Sequence, residues 1–337
     1  MKFEKPPKEK KVYYADFWGI RREKYKYLFE NDVETTKWQE LKPVQPYYFF
    51  VPKDFSLQEK YEQFWRVTDI FKLWSSGVET GRDTKLVGFT PQEKIKVFLD
   101  IFNPKVTLED LKTYHNLRPT SGWKIGERRK ELFKKEAKFS RENIIPYAYR
   151  PFDTRFTYYC EFLRRPHYEL MKNLIKNNLA LVTSRLLSAP PFTHIFVTQS
   201  IGDRCLISIK TKETSYFFPL YLYPDEPKGQ MFKKQIHQAK AIPNFTEGFW
   251  NAIKEAIGEE LTPEEVFYYI YAVLYSPTYR KRYEEFLKID FPRIPLPPNY
   301  EVFKALSSLG KELVDLHLLK HPALSQTNVG FPQKGSN

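Results

Sequence analysis

The feature that most limits the fold is a change of period partway along the chain. Between residues 144 and 223 the apolar residues fall in short β-type runs, at 155–159, 179–184, 193–198, 204–209 and 216–223, with turns between them. Beyond Pro227 the spacing turns helical. Thr262-Pro263-Glu264-Glu265 is a capping box with proline at the first helical position, opening a helix over 266–275. Ser276-Pro277 opens another helix to about residue 288, and a proline-studded link, 291–298, leads to a last one over 300–319. Strands and helices that segregate in this way predict an α+β chain.

The part before residue 144 is mixed. A strand over 12–18 ends at Gly19, a charged helix follows over 21–30, and an apolar strand over 46–52 is bracketed by Pro46 and Pro52. That last strand has little sheet to join, so the chain reads as if it begins near the end of a domain. Ser56 and Glu59 sign a helix start, and Leu57, Tyr61, Phe64, Trp65 and Phe71 make an apolar stripe, predicting a helix over 56–74. A very basic helix is expected over 124–138, and a short one over 166–176 that starts with Pro166. Disorder is expected only in the Lys- and Pro-rich first ten residues and in the tail after Pro322.

The formal net charge is +13, and its distribution matters more than its size. Residues 61–140 carry 16 basic against 11 acidic side chains, residues 141–215 carry 11 against 6, and residues 216–337 carry 14 of each. A polyanion is therefore drawn to the middle of the chain, since neutralisation of phosphates by Lys and Arg drives non-specific nucleic-acid affinity. A Lys-rich solvated surface is the plain alternative. No apolar run is long enough for a membrane span, and the charged N-terminus is not a signal peptide. Cys160 and Cys205 form no CxxC pair, which points to reduced thiols in a cytoplasmic protein with no zinc site.

Motifs for catalysis are missing. There is no glycine-rich cofactor turn, no P-loop, and no Asn/Asp-Pro-Pro-aromatic loop; Pro297-Pro298-Asn299-Tyr300 has those letters in another order and reads as a linker with an N-cap. Glu136-Ala137-Lys138 has the spacing of half a nuclease site but lies in a charge-dense helical run, and Pro224-Asp225 lies too far downstream to complete it. What stands out is a set of arginines at strand ends and turns: Arg150, Arg155, Arg164, Arg165, Arg185 and Arg204. The planar fork of arginine suits bidentate contact with guanine edges or phosphates. Asp153 and Asp203 stand close enough in sequence to Arg150, Arg155 and Arg204 to brace them instead. Arg164 and Arg165, with only Glu161 nearby, read as freer to meet phosphate. His167 and His194 are the only histidines of this region.

Several runs in combination resemble a known family: Ser76-Gly77-Val78-Glu79-Thr80-Gly81-Arg82-Asp83, Pro146-Tyr147-Ala148-Tyr149-Arg150-Pro151-Phe152-Asp153-Thr154-Arg155, Ile201-Gly202-Asp203-Arg204-Cys205 and Phe218-Pro219-Leu220-Tyr221-Leu222-Tyr223-Pro224. Tyr275-Ser276-Pro277-Thr278-Tyr279-Arg280 and 291–297 extend the match. They resemble the C-terminal part of single-chain type ISP restriction-modification enzymes and related fused adenine-specific DNA methyltransferases. The resemblance implies that residues 1–55 are the tail of a Rossmann-like methyltransferase domain, 56–225 a β-rich target-recognition domain and 226–337 its helical C-terminal part. It implies double-stranded DNA as a partner, with a methyltransferase catalytic domain, in the same parent polypeptide or a separate chain, supplying adenine N6 methylation. The expected DNA contacts are Arg82, Arg150, Arg155, Arg164, Arg165, His167, Arg185 and Arg204. No catalytic, metal or cofactor residue is expected here, S-adenosylmethionine belonging to the parent enzyme. The competing reading is a divergent intact methyltransferase or nuclease. Calorimetric titration separates the two: this chain alone is expected not to bind S-adenosylmethionine with micromolar affinity, and binding at that strength defeats the module reading.

Overall fold

The computed structural model describes residues 10–45, 47–120, 122–188, 191–208, 213–224 and 241–326. The expectations for residues 1–9, Pro46, residue 209, Asp225, Pro227 and the tail from 327 lie outside these. The chain divides into two compact units, residues 1–58 and 59–337. In the first, Val12–Tyr14 pairs antiparallel with Gln39–Leu41, and the helix Arg21–Glu30 lies between them in sequence. None of its described residues is buried, and Trp18 and Phe29 are 86% and 90% exposed. The strand expected over 46–52 does not form among the described residues 47–52.

The second unit is mixed α/β, built on two four-stranded sheets. In one, the order is Ile201–Gly202, Ile144–Arg150, Asp153–Tyr158, Val87–Gly88. Its centre is a hairpin that turns at Phe152, where φ is +61°, and whose register shifts between Ala148 and Arg150. Such an irregularity re-aims the side chains around it. In the other sheet the order is Ser75–Ser76, Ser215–Pro219, Ala180–Ser184, Ile195–Thr198, all antiparallel. Ala180–Ser184 is buried at all its positions, as an inner strand covered on both faces should be.

The helix expected over 56–74 breaks into Gln58–Glu62 and Val67–Ile70, with the strand Trp65–Arg66 between them. Long-range pairing wins over local periodicity here, because Trp65–Arg66 pairs with Arg293–Ile294. Tyr61 still buries its ring, stacking on Phe286 at 4.7 Å. The basic helix runs only from Ile125 to Lys134, and Glu136 takes a left-handed φ of +52° beyond its end. The run expected over 204–209 is no strand among its described residues; its sheet pairing falls earlier, at Ile201–Gly202.

Local signals served better toward the C-terminus. Thr262 and Glu265 form the expected reciprocal box at the start of Pro263–Tyr275. This helix packs along Tyr300–His317, and the approach is set by Gly310, where a Cβ would stand 1.9 Å from the Tyr268 carbonyl oxygen. Asn244, fully buried, ties this part to the sheets: its Nδ2 donates to the carbonyls of Leu73 and Pro219, both at 2.8 Å, and its Oδ1 accepts from the Leu73 amide. No helix of the described residues is long and apolar enough to cross a membrane.

Gly310 gives a test whose sign is informative. Helix propensity alone makes Gly310→Ala stabilising by about 1 kcal/mol. The contact with the Tyr268 backbone instead predicts destabilisation by about 1–3 kcal/mol, read by urea unfolding.

Candidate nucleic-acid interface

The segment from Ser75 to Arg82 runs through the middle of the second unit. Its first residues close the edge of one sheet, with the Gly77 amide donating to the Ser215 carbonyl at 3.0 Å. The next residues pass to the edge of the other sheet: the Val78 amide donates to Gly202 at 2.8 Å, and the Arg204 amide donates back to Val78 at 3.0 Å. Gly77 is required at this crossing, because a Cβ there would lie 2.6 Å from the Asp203 carbonyl group. Glu79 then exchanges both backbone bonds with Arg165, each at 3.0 Å. Three separated parts of the sequence, 76–83, 164–167 and 201–205, thus meet at one place.

Glu79 is the carboxylate at that junction, and only 10% of its side chain is exposed. Its Oε1 lies 2.9 Å from Arg165 Nη1 and 3.4 Å from Arg204 Nη1, and its Oε2 lies 3.1 Å from Arg164 Nη1. One negative charge therefore gathers three guanidinium groups. Arg164 is the most enclosed of the three, with its Nε buried and unpartnered among the described residues, whereas Arg165 is 56% and Arg204 42% exposed. Arg204 is further held by its Nε, which donates to Thr214 Oγ1 at 3.2 Å. His167, with a left-handed φ of +49°, sets its Nε2 3.1 Å from Ser76 Oγ, and burial holds its pKa below the ordinary value.

The remaining expected contacts separate from this junction. Arg150 Nη1 pairs with Asp203 Oδ1 at 2.9 Å, and its guanidinium lies over the Tyr149 ring. Arg155 takes Asp153 with its fork, at 3.0 Å from Nε and 2.9 Å from Nη2, and lies between the rings of Tyr149 and Phe89. Arg185 shares Asp290 with Arg66. Arg82 Nε donates to the Arg118 carbonyl at 3.3 Å. His194 stands 3.7 Å from Glu213. The freedom expected of Arg164 and Arg165 is thus replaced by pairing with Glu79, a partner more than eighty residues away in sequence that no local reading connects to them. Lys135, in contrast, is the residue that pairs with Glu161.

Asp203 carries the support beneath the junction. Besides Arg150 it accepts from Tyr147 Oη at 2.8 Å and from the Cys205 amide at 2.7 Å. Its burial, with the nearby Asp83 carboxylate second, nevertheless holds its pKa above the usual carboxylate value. Burial drives the Tyr147 hydroxyl well above its ordinary pKa, so it stays a donor. Among the described residues no group of three or more His, Cys, Asp and Glu side chains is placed to hold a metal ion. The arrangement offers cationic forks gathered on one carboxylate.

Residues 69–337 match the family described as Type ISP C-terminal specificity domain. Among solved structures, the DrdV–DNA complex is similar over 92% of this chain and 31% of that chain, at 22% identity and a TM-score of 0.69. A nuclease-deletion mutant of the Type ISP restriction-modification enzyme LlaGI, in complex with a DNA substrate mimic, is similar over 91% of this chain and 23% of that one, at 21% identity and TM-score 0.63. The ATP-dependent Type ISP enzyme LlaBIII bound to DNA gives 83%, 18%, 20% and 0.63 in the same order. The chain spans less than a third of the length of each. No curated protein matches the sequence.

Glu79 is testable as the organiser of its three arginines. Glu79→Gln keeps the shape but leaves three cations facing one another, and unfolding by urea is expected to show a loss of about 1–3 kcal/mol. Unchanged stability shows that the arginines hold their places without it.

Proposed function

The chain belongs to the Type ISP C-terminal specificity domain family, the target-recognition module of a restriction-modification enzyme, and we propose that it reads duplex DNA with the arginines gathered on Glu79. The carrying observation is the charge imbalance there: one nearly buried carboxylate against three guanidinium groups, two of them substantially exposed. Such a surface keeps a net positive charge and presents it from stiff backbone, as contact with phosphates and base edges requires. In this reading Arg165, Arg204 and His167 face the DNA, and Arg164 holds the group together from beneath. Arg150 and Arg155 serve chiefly as internal braces, since each already has a carboxylate and an aromatic ring. Arg185 is a peripheral contact.

The first unit has the part of a methyltransferase tail. None of its described residues is buried, as suits a segment that packs against a larger core. The division expected at residue 55, the helical part from 226 onward and a cytoplasmic location belong to the same reading. Cofactor binding and adenine N6 methylation then lie on a catalytic domain elsewhere in the parent polypeptide or on a partner chain. Binding energy from the module would help offset the cost of unstacking the target base.

Two measurements test this. Duplex affinity is expected to fall on the order of a thousandfold between about 50 and 200 mM salt, and a flat response defeats the phosphate contacts. In a binding selection, Arg165→Ala or Arg204→Ala at a base contact costs roughly 1–3 kcal/mol on the preferred site and blurs one position. At a phosphate contact it weakens all sequences alike. A variant that only lowers the melting temperature marks that arginine as structural.

A further inference from the structure

The cations of the basic middle segment differ in what neutralises them. Arg150, Arg155, Arg164, Arg165, Arg185 and Arg204 each lie within ion-pair distance of a carboxylate. Arg82, Lys85 and Arg118 have no such partner among the described residues, and they line one pocket together with Thr84 and Asn116. Its volume is about 390 Å³.

Two separate stretches build it. Arg82, Thr84 and Lys85 come from the start and body of the short helix Asp83–Leu86. Asn116 and Arg118 follow the helix Leu108–His115, which ends on Asn116 in the left-handed region at φ +49°. The bond from Arg82 Nε to the Arg118 carbonyl, 3.3 Å, ties the two stretches at the pocket. Asp83, the carboxylate nearest in sequence, is engaged elsewhere: Oδ1 accepts from the Thr80 hydroxyl, and Oδ2 lies 3.5 Å from Tyr149 Oη. It does not line the pocket. Arg82 and Lys85 are half-buried, and Thr84, Asn116 and Arg118 are exposed at the pocket. Three like charges lining one concavity repel each other, and an anion that enters it relieves that repulsion. Thr84 and Asn116 add side-chain hydrogen-bond donors of the kind phosphate oxygens accept.

We propose that the Arg82–Lys85–Arg118 pocket seats a phosphate of the DNA backbone, a contact that fixes position and carries no sequence preference. The proposal rests on the DNA-reading function above and adds Lys85 and Arg118 to it. It also gives the module a division of labour: arginines on Glu79 held in fixed directions, and a separate, uncompensated anchor for the backbone.

The test measures affinity for a preferred and a scrambled duplex across a salt series, using the whole chain and its Lys85→Ala, Arg118→Ala and doubly substituted variants. Each single change is expected to weaken both duplexes by the same factor and to make the slope of log affinity against log salt shallower by about one. The charge-keeping Lys85→Arg and Arg118→Lys are expected to keep the parent's salt slope even where affinity falls, which separates lost charge from lost fold. A double variant with the parent's affinity and slope overturns the pocket and leaves the DNA reading intact. Weakening confined to one duplex makes these residues base readers and also overturns it. Inorganic phosphate is titrated in parallel by ³¹P resonance. If it binds the parent but not the double variant while duplex affinity is the same in both, the pocket serves free phosphate, against the proposal. A parent chain with no duplex affinity at low salt overturns the DNA reading, and the pocket's assignment with it.

Discussion

The second unit depends on the extended run from Ser75 to Thr80. Its backbone groups are shared among three stretches: Ser215 on one sheet, Gly202 at the edge of the other with Arg204 just after it, and Arg164 and Arg165 beyond them. An extended chain in a protein interior must find hydrogen-bond partners on its flanks, and here each flank belongs to a different element. This strip bridges the two sheets. Its close approach needs Gly77, and the side chain that follows next but one, Glu79, lies within ion-pair distance of all three arginines. Backbone pairing and charge pairing are thus fixed by the same few residues.

Asp203 shows how the layer beneath is kept. It collects Arg150, Tyr147 and the Cys205 amide, and its own amide donates to the Ala148 carbonyl. The register of the hairpin is irregular between Ala148 and Arg150, beside the residue that pairs with Asp203. A buried carboxylate so furnished with donors stabilises one arrangement and penalises its neighbours, because any displacement leaves a charge without partners.

The sequence was readable where the determining interactions are local. The capping box at Thr262 and Glu265, the proline at the first turn and the short strands around Ala180 and Phe217 rest on residues a few positions apart. The helix expected over 56–74 failed because Trp65 and Arg66 pair with a strand more than two hundred residues later, which no window of local periodicity contains. The same limit applies at the site. Asp153 beside Arg155 was visible as a brace at a spacing of two, whereas the grip of Glu79 on Arg164, Arg165 and Arg204 spans the fold. Glu79 did stand inside one of the distinctive runs, and its place as the one acidic residue between Gly77 and Gly81 was the available signal.

The sharing of one carboxylate by three arginines has a consequence for how the surface would exchange ligands. A polyanion that arrives there does not meet bare cations; it competes with an anion the protein has built in. What it displaces is partly Glu79 and only partly small ions from solution, so the entropy released by mobile counterions is smaller than a count of arginines implies. Such a surface behaves as a self-buffered ion exchanger. On the proposed reading it would favour an anion that matches the directions in which Glu79 holds the guanidinium forks.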